Sequence, residues 1–107
     1  MTDQKFSRPI HRDGSQGNGW MIQRETRMSG FSIKPQEGDV IVKFLDGAGG
    51  EELWAAEADN AVGSHSESFG NYPLLFKNGI YITVVDDSGG TNWDVYVSVV
   101  EPKSSGT

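Results

Sequence analysis

The sequence predicts an all-β domain: an antiparallel two-sheet sandwich, jelly-roll-like or Ig-like, of six to eight strands behind an irregular N-terminal arm. Three observations carry this expectation. Residues 93–100 alternate with a period of two, so that Trp93, Val95, Val97 and Val99 share one face and Asp94, Tyr96 and Ser98 the other. Short runs of branched and aromatic residues are separated by glycine-rich turns at close intervals. Long amphipathic helical patterns are absent from the chain. Its 107 residues fit one domain, divided here into an arm of residues 1–19, a sandwich of residues 20–101 and a tail of residues 102–107.

In chain order, residues 1–19 read as irregular, because Gly14, Gly17 and Gly19 fall in polar sequence that buries little. Residues 5–11 offer Phe6 and Ile10 for a short strand, which Pro9 confines to a sheet edge. Residues 20–28 read as one strand with Trp20, Ile22 and Thr26 on a common face. Residues 31–34 alternate, and residues 35–38 supply a proline–glycine turn. Residues 40–45 are rich in strand formers. The glycines of residues 46–50 suit a hairpin loop, with residues 52–57 returning as its partner strand. Residues 58–71 read as a long polar loop. Residues 72–76, 80–85 and 93–100 are the last three strands, joined by a tight turn at Lys77-Asn78-Gly79 and a loop at residues 86–92. The expected core is Phe31, Ile33, Val40, Val42, Phe44, Leu53, Leu74, Phe76, Ile80, Ile82, Val84, Trp93, Val95, Val97 and Val99.

Composition narrows the function classes. The chain has no cysteine, so disulfide and thiolate chemistry are excluded. The opening MTDQKFSRPI has no apolar run of the signal-peptide kind, and no stretch is long enough to span a bilayer. The net charge of −6 disfavours nucleic acid as a partner. Charge is uneven: residues 1–34 carry a balance of +3 and residues 35–107 a balance of −9. The basic N-terminal part suits an acidic partner surface, equally the reading of a solvated tail.

Catalytic material is sparse. The histidines, His11 and His65, both fall in irregular polar sequence, with no nucleophile elbow beside them. The pairs Glu51-Glu52 and Asp86-Asp87 are sequence neighbours, which point to opposite faces of a strand and do not converge on one substrate atom. Asp86, Asp87, Ser88 and Asn92 could offer oxygens to calcium, but a hairpin tip explains them better. The sequence therefore predicts no enzyme and no cofactor or metal. Of the tryptophans, Trp93 is in phase with core valines, whereas Trp20 and Trp54 are candidates for partner contact. Arg8, Arg12, Arg24 and Arg27 complete the candidate partner-binding set.

From about Thr26 to Val100 the chain resembles small β-domain virion proteins of tailed bacteriophages. The resemblance lies in the strand of residues 39–45, its glycine hairpin, the run from Tyr72 to Val84, above all Phe76-x-x-Gly79-Ile80-Tyr81-Ile82, and the closing strand Trp93-Asp94-Val95-Tyr96-Val97. It covers about two-thirds of the chain and carries no catalytic motif. It implies a non-enzymatic structural role, capsid decoration (cementing) or a tail or host-recognition accessory role, with a major capsid protein or other virion protein as partner. Implied with it are a homo-oligomeric state and a place in the virion after assembly in the host cytoplasm. Residues 1–19 and 86–92 depart from the family pattern. Two other readings are a carbohydrate-binding sandwich using Trp54, Tyr72 or Tyr96, and a small hydrolase built on Asp86, Asp87 and His65.

Overall fold

The computed structural model describes residues 9–100, and these are all β and turn, with no helix. Nine strands form: β1 (Ile10–Asp13), β2 (Gly19–Ile22), β3 (Thr26–Pro35), β4 (Val40–Asp46), β5 (Glu52–Ala58), β6 (His65–Ser68), β7 (Leu74–Phe76), β8 (Ile80–Asp86) and β9 (Trp93–Val100). They make two antiparallel sheets. The first has the order β1-β9-β3-β6, with β7 also pairing β3, and the second the order β2-β8-β4-β5. The chain crosses between sheets at β1–β2, β2–β3, β3–β4, β5–β6, β7–β8 and β8–β9. Leaving aside the three-residue β7, this is the strand order of a jelly roll, so of the two expected sandwich types the jelly-roll-like one is formed.

The core lies between the sheets and is built by alternation. Val95, Val97 and Val99 of β9 face Ile33, Phe31 and Met28 of β3 in register. In the second sheet Val40, Val42 and Phe44 of β4 oppose Ala58, Ala56 and Trp54 on β5. Phe31 and Phe44 meet across the interior with ring centroids 4.9 Å apart. Each fully buried aliphatic or aromatic side chain here contributes about 1.5–3 kcal/mol relative to exposure. Of the expected core residues, Leu53, Leu74 and Val84 are only half-buried, while Met21, Met28 and Ala58 are buried in addition.

Several expectations are corrected. The described residues alone form nine strands, where six to eight were expected. Residues 1–19 are not irregular throughout: β1 pairs β9 from Ile10↔Val97 to Asp13↔Asp94, and Gly19 already belongs to β2. Residues 20–28 are two strands in different sheets, broken at residues 23–25, and Met21 rather than Trp20 or Ile22 enters the core. The polar loop of residues 58–71 contains β6, whose His65-Ser66-Glu67-Ser68 pairs β3 although it has no apolar side chain.

Two turns show why their glycines are required. Gly79, with φ of 95°, reverses the chain into β8, and a β-carbon there would collide with the carbonyl oxygen of Ile22. Gly47, with φ of 86°, opens the β4–β5 loop and donates to the Gly79 carbonyl at 3.0 Å, so the two turns are joined.

Candidate interaction surfaces

Alternation gives each sheet an outer face, and the two faces differ in chemistry. Over most of its length the first sheet presents polar side chains: His11 on β1, Asp94, Tyr96 and Ser98 on β9, Ser32 and Lys34 on β3, and Ser66 and Ser68 on β6, with Leu75 and Val100 flanking Arg27 at one end. This is the expected solvated face of an antiparallel sheet.

The second sheet breaks that expectation. Its outer positions carry Trp20 on β2, Tyr81, Thr83 and Val85 on β8, and Ile41 and Leu45 on β4, brought side by side by the pairs Trp20↔Tyr81, Leu45↔Tyr81, Lys43↔Thr83 and Ile41↔Val85. The Trp20 and Tyr81 rings meet edge to face at 5.5 Å. Ile41 and Val85 are 39% and 62% exposed. Lys43 lies within the face, paired with Glu52 of β5 at 3.8 Å. The aromatic pair with Leu45 and the exposed pair Ile41–Val85 flank Lys43 and Thr83, and outward apolar groups of this kind interspersed with charge have the make-up of an interaction surface.

The sequence-predicted partner residues do not form one patch. Arg8 lies outside the described residues. Arg12 is a loop clamp: its guanidinium donates to the carbonyls of Gly17 at 2.6 Å, Gln16 at 2.9 Å, Asn18 at 3.0 Å and Trp20 at 3.4 Å. It is thereby committed to the β1–β2 loop rather than held out on an arm. Trp54 does not point outward. It opposes Phe44 in register, packs against the core and meets Phe69 edge to face at 5.0 Å. Its Nε1 is buried without an acceptor. Arg24 and Arg27 are exposed at the end of the sandwich where β2 turns into β3. Trp20 alone lies on the apolar face. Its companions Tyr81, Ile41 and Val85 are not marked by the sequence, because alternation shows which side chains face outward but not whether that face stays uncovered.

Side-chain hydrogen bonds fix the loops at the opposite end. Asp86 Oδ1 accepts from the Ser88 amide at 2.9 Å and hydroxyl at 2.7 Å, and Oδ2 from the Asn92 amide at 3.3 Å. Burial pushes the Asp86 carboxyl up, but the Ser88 and Asn92 hydrogen bonds outweigh it and hold the carboxyl below its ordinary value. Asp13 is held low in the same way, first by the Ser15 hydroxyl at 2.6 Å. The Asp86 oxygens that a calcium ion would need are thus already engaged in turn chemistry. Among the described residues, His11, Asp13 and Asp94 bring their ligand atoms within 4.8 Å of one another and are the group best placed to touch a cation. Asp94, however, accepts from Gln36 at 2.6 Å and meets His11 Nε2 at 2.7 Å, which pins β1 and the β3–β4 turn to β9. His65 pairs with Glu67 at 2.8 Å on β6, in the other sheet from Asp86 on β8.

Among known proteins, the chain matches no family model, no curated protein and no solved structure.

Proposed function

We propose that this protein is a non-enzymatic structural component of a bacteriophage particle, a capsid decoration protein that seats the outer face of its second sheet on the major capsid protein. The observation that supports the reading is the apolar, aromatic outer face around Trp20 and Tyr81, in a sheet whose outward positions would otherwise be polar. The class of partner is taken from the sequence resemblance of residues 26–100 to phage virion proteins and is part of the proposal. Jelly rolls serve viral capsids and lectins alike, so the fold itself does not choose between them. On a symmetric shell each copy would occupy an equivalent position, and the virion would be the site of action.

The test is cosedimentation of the protein with phage heads from the particle that encodes it. Wild-type protein should pellet with the heads. Trp20→Ala should weaken binding about 30-fold, the effect of losing a hot-spot anchor worth about 2 kcal/mol. Val85→Lys should also abolish binding, while circular dichroism shows the fold intact, because Val85 is largely exposed. Wild-type protein that stays in the supernatant, or variants that coat heads normally, would contradict the proposal.

A further inference from the structure

We infer that the groove across the outer face of the first sheet is a binding site for a neutral saccharide chain. The groove has a volume of about 500 Å³, within the range of roughly 300–1,000 Å³ usual for small-ligand sites. Its floor and walls come from three adjacent strands: Ser32 and Lys34 of β3, Tyr96 and Ser98 of β9, and Ser68 of β6. The floor is low for a local reason. A bulge between Met28 and Gly30 interrupts the β3–β9 ladder, and Gly30 lies opposite both Ser98 and Ser68. A β-carbon at position 30 would come within 2.6 Å of the Glu67 carbonyl oxygen, so no side chain fits where the strands approach.

The chemistry on offer selects the ligand. β3 is paired along both sides, by β9 and by β6 and β7, so its backbone groups are used within the sheet and a peptide cannot add there as a strand. What remains is a set of hydroxyls and one ammonium group. Ser66 Oγ donates to Ser32 Oγ at 2.9 Å, which leaves the Ser32 proton to donate to a ligand oxygen. Tyr96 is held upright between strands. His11 stacks on its ring at 4.5 Å from β1, and the Lys34 ammonium lies 5.3 Å from its centroid on the β3 side. The ring therefore presents its rim rather than a platform. Recognition is by dense hydroxyl pairing, as suits a sugar chain. Glu67 pairs with the buried Phe31, so its side chain alternates away from this face and is held by His65, and the net charge of −6 works against a polyanionic ligand.

The experiment is an amide-resolved NMR titration of the whole protein with maltotriose, cellotriose and N-acetylated chitotriose in turn, and with a tetraglutamate peptide as the competing class. At least one trisaccharide should give saturable shifts confined to residues 29–34, 67–68 and 96–98. Ser98→Leu, which fills the groove, should weaken that binding at least tenfold, and Trp20→Ala should leave it unchanged. No saturable shift with any of the three sugars at millimolar concentration would overturn the inference. So would binding that survives Ser98→Leu, or binding of the peptide alone. The groove and the apolar face are on different sheets, so either can fail without the other.

Discussion

At the scale of single residues, two side-chain decisions hold the chain in its path. Arg12 gathers three carbonyls of the β1–β2 loop and that of Trp20 in β2 with a planar fork of donors, a geometry that lysine cannot reproduce. Arg12→Lys should therefore lower stability by about 1.5–3 kcal/mol, the range for hydrogen bonds to a charged group, read as a drop in the urea midpoint. An unchanged midpoint would show that the clamp contributes nothing. Gly79→Ala should cost more than about 1 kcal/mol, because it meets both an unfavourable φ and the Ile22 carbonyl. The two differ in legibility. Lys77-Asn78-Gly79 announces a turn by residue type, whereas Arg12 has backbone partners that no sequence pattern marks. It read instead as a free positive charge on an arm.

At the scale of strands, legibility followed the amount of apolar patterning each carried. β9 has four apolar residues in strict alternation and was evident; β6 is His65-Ser66-Glu67-Ser68 and exists only because β3 offers it a ladder. β1 is likewise four residues with Ile10 as its one apolar side chain. The direction of Trp54 is ambiguous on pattern for a related reason: it is set by pairing with Phe44, while Leu53 and Ala55 compete for the inward face. The alternation of β8 can be tested directly. Ile82 is fully buried and Val85 largely exposed. Ile82→Ala should cost about 2–5 kcal/mol, and Val85→Ala less than about 0.5 kcal/mol, both from denaturant curves. Equal costs would mean that β8 does not alternate as described. Deleting residues 1–18 should remove β1, the Arg12 clamp and the hydrogen bond from the Val84 amide to Asn18 Oδ1 at 2.8 Å. Cooperative unfolding should be lost in that truncation. A truncated protein with wild-type stability would show that β1 is dispensable.

At the scale of the whole molecule, the two-layer all-β class was legible because composition and period decide it. The jelly-roll order was not, because it depends on pairs such as β1 with β9 and β2 with β8 that are far apart in sequence. The same order turns Trp20, Tyr81, Ile41 and Val85 outward on the second sheet, the face on which the proposed docking rests. It also places Asp13 and Asp86 at one end, both with carboxyls held below the ordinary value of 3.8. A lowered native pKa stabilises the ionised folded state, so this contribution is complete above pH 3.8 and disappears as pH falls through the depressed values. Stability should therefore fall below that pH, and the D13N/D86N variant should flatten this acid limb in pH-dependent unfolding. An identical limb in the variant would assign acid sensitivity to other groups. The most direct measurement of the central claim is a set of cross-strand NMR contacts. The strand order predicts nuclear Overhauser effects between Trp20 and Tyr81 and between Ile41 and Val85. Contacts pairing residues 19–22 with residues 26–29 as a simple hairpin, in their place, would contradict the jelly roll and dissolve the apolar face built on it.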